Sequence, residues 1–297
     1  MNEITIREPQ PNAIPALREI WNSVFGDIGV NAFFRLLYDP KLCIVADFDG
    51  SPVAMGYLIP SGEIIPAADN SGNPSPVKCA MIYSVATLPE YRGKGLGAMV
   101  VRKLIERAYE YDFPAVVLCP HEDGLFEYYS TRTVLCDFFY VVESILKTAP
   151  DSTRKIIPVE VSISEYYNIR EYLLKDITHI RFDLRALEYQ AELCKESDGG
   201  FYKIGDSCAV VERQPDETIW VKELLIPDTV PGGLTYGSYA NDIIASIADK
   251  YPADEYIIRS SSRIGERRRF GMLTISDSTS GLLGSHGKSP WYGVAFD

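Results

Sequence analysis

The stretch Met81-Ile82-Tyr83-Ser84-Val85-Ala86-Thr87-Leu88-Pro89-Glu90-Tyr91-Arg92-Gly93-Lys94-Gly95-Leu96-Gly97-Ala98, followed by a helical run and then by Ala115-Val116-Val117-Leu118-Cys119, decides the fold. Ile82 to Thr87 reads as a strand, Pro89 to Arg92 as a turn, Gly93 to Gly97 as a flexible loop, Ala98 to Tyr111 as a helix and Val116 to Cys119 as a second strand. The helix follows from period: Leu96, Val100, Leu104 and Ala108 recur every four residues, flanked by Val101 and Ile105, while Arg102, Lys103, Glu106, Arg107 and Glu110 point elsewhere. The result is a strand–loop–helix–strand unit with its glycines at the helix start. Backbone N–H groups of a first helical turn have no intrahelical partner, and the aligned peptide dipoles add roughly half a positive charge there. Glycines at 93, 95 and 97 let a ligand approach that backbone without meeting side chains, so the loop suits a phosphate or pyrophosphate.

Two ligand classes use such a loop. Gly93, Gly95 and Ala98 satisfy a G-x-G-x-x-A dinucleotide pattern, with Glu122 at the end of the next strand as a ribose-binding acid. A dinucleotide fold has its first glycine directly after the strand, whereas here Pro89-Glu90-Tyr91-Arg92 intervenes and places a cation beside the loop. A glycine-rich turn without a ligand is the third reading, and against it stands the stability cost of three glycines at a helix start.

Val85 to Gly97 closely resembles the acetyl-CoA-binding motif of the GNAT superfamily of N-acyltransferases, an Arg/Gln-x-x-Gly-x-Gly/Ala segment after a strand, which Arg92, Gly95 and Gly97 fit. The resemblance is strong over residues 3–146 and faint beyond. It implies an α/β (α+β) fold with a mixed central sheet flanked by helices, and acetyl-CoA as cosubstrate. The cradle it implies comprises Val85, Ala86, Thr87, Arg92, Gly93, Lys94, Gly95, Leu96, Gly97 and Ala98, with backbone N–H groups around Val85 and Thr87 holding the pantetheine arm and the carbonyl oxygen. In the resembling family a short helix after the second strand carries a tyrosine followed by a Gly-aromatic pair. Tyr129 falls on that tyrosine, but Thr133-Val134 stands where the Gly-aromatic pair is expected, which makes Tyr128 a rival. The tandem tyrosines and His121-Glu122 resemble the enhanced-intracellular-survival type of acetyltransferase, a multi-domain branch.

Aminolysis of a thioester needs an amine that has lost a proton and a thiolate that gains one. A lysine-like amine with pKa about 10.4 is mostly protonated at pH 7, so a base or a pKa-lowering site is required, and a tyrosine of pKa about 10 can protonate the thiolate. Tyr129 is therefore the expected acid. Glu122, His121 and Tyr83 are candidates for the base, as is Asp297, because the resembling branch uses its C-terminal carboxylate. The tail Trp291-Tyr292-Gly293-Val294-Ala295-Phe296-Asp297 is apolar to its end; it is either a last strand or also delivers the Asp297 carboxylates into the first domain's cleft.

At 297 residues, 46% hydrophobic and 24% charged, the chain is long enough for two globular domains. No apolar run approaches a membrane span and Met1-Asn2-Glu3 starts no secretory signal, so the expected location is cytoplasmic. Six cysteines without C-x-x-C spacing and only three histidines argue against a metal site. The net charge of −12 argues against a nucleic-acid surface and suits a cationic small-molecule or peptide amine, or serves solubility alone.

Ile14 to Phe25 and Asn31 to Tyr38 read as helices, and their connection, with Asp27, lies where the resembling family builds its acceptor pocket. Leu42 to Asp47 and Pro52 to Ile59 form a strand pair, and residues 60–76 a loop over the site. A first domain is expected at 1–146, a linker at 147–157 and a second copy of the fold at 158–297. The second copy is degenerate, because Pro227 to Leu234 has no arginine and no spaced glycine triplet, and its role is to wall the cleft or to mediate homo-oligomerisation. An inactive CoA-binding sensor or scaffold and a nucleotide-binding oxidoreductase are the rival functions.

Overall fold

The structure, a computed structural model, describes residues 4–67, 75–152, 154–261, 266–276 and 289–296. The first half runs β1 (Ile4–Arg7), α1 (Ile14–Phe25), α2 (Val30–Leu36), β2 (Cys43–Phe48), β3 (Ser51–Ile65), β4 (Val77–Thr87), α3 (Leu96–Glu110), β5 (Ala115–Leu118), α4 (Asp123–Arg132) and β6 (Cys136–Leu146). The second runs β7 (Val159–Glu160), α5 (Ile163–Leu174), β8 (His179–Phe182), α6 (Leu184–Glu196), β9 (Gly200–Ile204), β10 (Ser207–Arg213), β11 (Ile219–Leu225), α7 (Tyr236–Lys250), β12 (Tyr256–Ser260) and β13 (Arg267–Ile275).

These strands form one mixed sheet in the order β1-β2-β3-β4-β5-β13-β6-β12-β11-β10-β9-β7, with β8 added beside β3. Strands β1 to β4 are antiparallel neighbours, and the parallel pairs are β4 with β5 and β11 with β12. A strand–helix–parallel-strand unit thus occurs twice, as β4-α3-β5 and β11-α7-β12. The two are joined through exchanged strands: β13, from the far end of the chain, pairs with β5 (Met272 opposite Leu118), while β6 pairs with β12 (Ser144 opposite Ile258). The mixed α/β sheet flanked by helices agrees with the expected fold class. It is not the all-parallel arrangement of a dinucleotide fold.

The helices sort onto two faces by their apolar stripes. Leu96, Val100, Val101, Leu104, Ile105 and Ala108 of α3 pack with Ala80, Ile82, Val116, Leu118 and Met272. Tyr239, Ile243 and Ile247 of α7 pack with Ile219, Val221 and Ile258. The opposite face carries a continuous core that draws on α1, α2, α5 and α6 and on both halves of the sheet.

Several elements differ from the sequence expectations. The apolar run from Phe182 to Leu193 has a helical pattern, yet Phe182 itself ends β8, and the Asp183 carboxylate starts α6 by accepting from the Arg185 and Ala186 N–H groups. Residues 60–65 of the expected overhanging loop belong to β3 and pair with β8 from Gly62–Phe182 to Ile65–His179; residues 68–74 lie outside the described residues. The tail is not a ladder strand. Trp291 makes one isolated bridge to His179, and Tyr292, Val294, Ala295 and Phe296 are buried as an extended segment. A fully buried polar cluster anchors it: Glu223 accepts from Trp291 Nε1 at 2.5 Å, from Arg170 Nε at 2.9 Å and from the Tyr166 hydroxyl. Such a pair is costly to desolvate and persists because each polar partner is satisfied.

Candidate active site

Strands β4 and β5 pair from Cys79–Ala115 to Ile82–Leu118 and then part. The cause lies in β4. Ser84 adopts φ 47°, and the register with β3 slips so that Ser84 and Val85 stand where only Gly56 faces them. This bulge bends β4 away from its neighbour and turns peptide groups that would have joined the ladder into the gap.

Helix α3 begins beside that gap. Gly95 is its N-cap at φ 75°, with no side-chain capping bond, and Gly93 has φ 78°. A Cβ at either position would meet nothing within 4 Å, so the space in front of this helix start is open. Around Gly97 the surroundings close in: a Cβ there would lie 3.7 Å from the Tyr128 hydroxyl, 3.9 Å from Val85 Cγ1 and 4.0 Å from Thr87 Oγ1. The Ala98 N–H donates to the Tyr128 hydroxyl at 3.2 Å. The structure therefore brings Val85, Thr87, Gly97, Ala98 and Tyr128 to one place. Arg92 Nε donates to the Thr87 carbonyl at 3.1 Å and Lys94 Nζ lies 4.9 Å from the Tyr91 ring centre, so both cations flank the loop. Ala86 and Leu96 point into the core.

The two tyrosines of α4 have different environments. Tyr128 is half-buried with its hydroxyl at the start of α3. Tyr129 is 6% exposed, closed among Leu118, Phe126 and Leu135, and burial pushes its phenol well above the ordinary tyrosine value. Thr133 ends the helix without the expected glycine: its N–H and hydroxyl both bond the Tyr129 carbonyl, at 2.8 and 2.7 Å. His121 and Glu122 are exposed at the β5–α4 turn, and Glu122 sits at the N-cap position without a capping bond. Asp297 lies outside the described residues.

Tyr83, on the other face of the sheet, is the first β4 residue past the last row paired with β5. Its hydroxyl donates to the Phe296 carbonyl at 3.0 Å and lies 3.0 Å from the Tyr189 hydroxyl of α6. Around it stand Trp21, Phe33 and Tyr57, with ring centres 4.6 to 5.8 Å apart along Trp21–Tyr83 and Phe33–Tyr57, and Asp27 is exposed on the α1–α2 connection. Tyr189 has no local sequence mark; it reads as one more apolar position of an amphipathic helix.

Among the described residues, no group of three or more His, Cys, Asp or Glu is arranged to hold a metal ion, and no helix is long and apolar enough to cross a membrane.

Residues 11–127 match the acetyltransferase (GNAT) family. No curated protein matches the chain. Among solved structures, a GCN5-related N-acetyltransferase from Kribbella flavida superposes with a TM-score of 0.67 at 14% identity, over 96% of this chain and 75% of that one. Eis1 from Mycobacterium abscessus gives 0.61 at 13% identity, over 94% and 74%. A putative acetyltransferase from Pyrococcus horikoshii gives 0.57 at 17%, over 98% and 94%. At these identities the likeness is one of fold, and it extends through both halves of the chain.

Proposed function

We propose that this chain, an N-acetyltransferase whose residues 11–127 form a GNAT-family acetyltransferase domain, moves an acetyl group from acetyl-CoA to a primary amine by direct attack. The observation that carries this reading is the open, uncapped start of α3 facing the gap where β4 leaves β5. The fit to acetyl-CoA rests on the empty space beside Gly93 and Gly95, which side chains would otherwise fill, and on first-turn N–H groups that favour an anion. Arg92 and Lys94 add charge at the same loop. Val85 to Thr87 offer backbone groups along the gap for the pantetheine arm and for the charge that develops on the carbonyl oxygen.

Bound there, acetyl-CoA supplies a thioester whose carbon–sulfur bond breaks as the amine nitrogen bonds the acetyl carbon, and overall one proton passes from the amine to the sulfur. Of the two tyrosines, Tyr128 has its hydroxyl inside the cradle and takes the proton-donor role, in place of the Tyr129 expected from sequence. Tyr129 meets it edge-on at 5.2 Å between ring centres and holds its orientation. His121 and Glu122, exposed at the adjoining turn, are the base candidates. The acceptor class that suits a net charge of −12 is a cationic small molecule or peptide amine. Residues 1–146 form the catalytic copy in this reading, 147–157 the linker and 158–297 a second copy without a cofactor site.

Calorimetric titration with acetyl-CoA, CoA and NADH, followed by turnover on a panel of amines with a free-thiol readout, tests the proposal. Micromolar acetyl-CoA binding with thiol release is expected. Tyr128→Phe should retain acetyl-CoA affinity and lose roughly a hundredfold in kcat, the usual worth of a positioned acid, while Tyr129→Phe loses less. Absence of acetyl-CoA binding overturns the reading at its central loop. Binding without turnover on any amine replaces it with the sensor reading, and tighter binding of NADH replaces it with the oxidoreductase.

A further inference from the structure

One face of α6 is turned toward the first half of the chain. Tyr189, Glu192 and Glu196 follow one another at helical spacing on that face. The Tyr189 hydroxyl lies 3.0 Å from that of Tyr83, the Glu192 carboxylate takes Arg35 Nη2 at 2.5 Å, and Glu196 Oε2 accepts from the Gly29 N–H at 2.7 Å. Arg35 and Gly29 belong to α2 and its N-cap, the element beside the exposed Asp27 connection. The contact is close: a Cβ on Gly29 would fall 2.6 Å from Leu193 Cδ2 and 2.8 Å from the Tyr189 hydroxyl.

The hydrogen bond to Phe296 gives the direction at Tyr83. A backbone carbonyl can only accept, so Tyr83 spends its proton on Phe296. The Tyr189 hydroxyl, 3.0 Å away, is then placed to donate to the Tyr83 oxygen. Burial keeps the Tyr189 phenol neutral by pushing it far above its ordinary value, so its proton is present for that bond. Tyr83 is thereby held from two sides by groups of the second half, at the row where β4 and β5 part.

We propose that Tyr189 is a positioning residue for acetyl transfer: through its hydroxyl it fixes Tyr83 on the acceptor side of the gap, so that the second half of the chain builds part of the first half's site. The inference rests on the transfer reading above. It gives the second half a function in the reaction beyond walling the cleft, and it assigns that function to one hydroxyl.

A double-mutant cycle on the full chain tests it, with Tyr189→Phe, Tyr83→Phe and the pair, each measured for acetyl-CoA affinity by calorimetry and for steady-state transfer to the amine acceptor. Tyr189→Phe keeps the ring and should lower kcat/KM for the amine about tenfold, the worth of one hydrogen bond, with acetyl-CoA affinity unchanged. Because Tyr189 acts through Tyr83, the pair should be no worse than Tyr83→Phe alone. Glu192→Gln, at an exposed ion pair on the same face, should leave transfer unchanged and serves as the control for merely loosening α6. Losses that multiply in the pair, or a Tyr189→Phe enzyme equal to wild type, overturn the inference and leave the transfer reading standing. A wild-type chain that acetylates no amine overturns both.

Discussion

Helices α3 and α7 hold matching places, each following the first strand of a parallel pair and packing on the same face of one sheet, yet their N-termini are finished in opposite ways. At α3 the N-cap is Gly95, which has no side chain to close the first turn; of that turn's N–H groups Ala98's is taken by the Tyr128 hydroxyl from α4, and a Cβ on Gly93 would meet nothing within 4 Å. At α7 the Thr235 hydroxyl accepts from the Ser238 N–H at 3.2 Å, and the Arg154 guanidinium lies 3.3 Å from where a Cβ of Gly232 would stand. The strands differ in the same sense. β4 leaves β5 after Ile82, whereas β11 rejoins β12 beyond a bulge at Leu224–Ser260, and the β11 residue Glu223 is locked by Arg170, Tyr166 and Trp291. One topology thus carries either an open helix start, where the proposal places acetyl-CoA, or a structural block whose helix start is satisfied from within.

The largest expected effect falls on the block. Glu223→Gln removes the fully buried carboxylate that Arg170 shares with Tyr166 and Trp291 and leaves it, among the described residues, only Glu171, at 3.1 Å, as a charged partner, which should cost about 3–5 kcal/mol in urea unfolding, with acetyl-CoA affinity of the folded protein unchanged. Unchanged stability would mean that the second half is not held by this pair. Next comes the open helix start. Gly95→Val adds a branched side chain at φ 75° and should weaken acetyl-CoA binding roughly a hundredfold, about 2.7 kcal/mol, besides a strain of about 1–2 kcal/mol visible in the thermal midpoint. Retained affinity would dissolve the contrast between the two helices. Thr235→Ala should cost about 1 kcal/mol of stability without altering cofactor binding, and a gain of CoA affinity there would show that the cap alone keeps α7 closed.

The smallest effect concerns pH. Burial alone would raise the Glu171 carboxyl, but hydrogen bonding to His179 and the charge of Arg170 outweigh it and hold the group below its ordinary value. A carboxyl held low contributes stability above its unfolded pKa of about 4.3 and loses it as pH falls through the folded value. Glu171→Gln should therefore flatten the fall in stability between pH 5 and pH 3, as read by chemical unfolding at each pH, and leave acetyl-CoA binding at pH 7 unaltered.

The glycine loop and helix start were legible in the sequence because their signals are local: Arg92, Gly93, Gly95 and Gly97 lie within six residues, and the period of α3 follows directly. The environments of Tyr128 and Tyr129 were not, since the two are adjacent and only the rotation of α4 on the sheet decides which hydroxyl reaches the start of α3 and which ring enters the core. The β8 strand was hidden because its four residues pair with β3 across more than a hundred positions and its last residue, Phe182, also fits the apolar pattern of α6. Tyr189 shows the same limit from the functional side. Its partner Tyr83 is 106 positions away, so nothing local separates it from a core tyrosine.

The exchange of β6 and β13 also sets an order of events during synthesis. Cys119, next to the last residue of β5, meets its partner carbonyl on Phe270, 151 positions further along the chain. At ordinary elongation rates the ribosome needs roughly ten to thirty seconds to make that length, and throughout it the edge of β5 opposite β4 lacks its β13 neighbour. The half that carries the glycine loop is made first and completed last, so a nascent chain stalled before residue 267 would hold β4, that loop, α3 and β5 and still lack the strand that covers the far edge of β5.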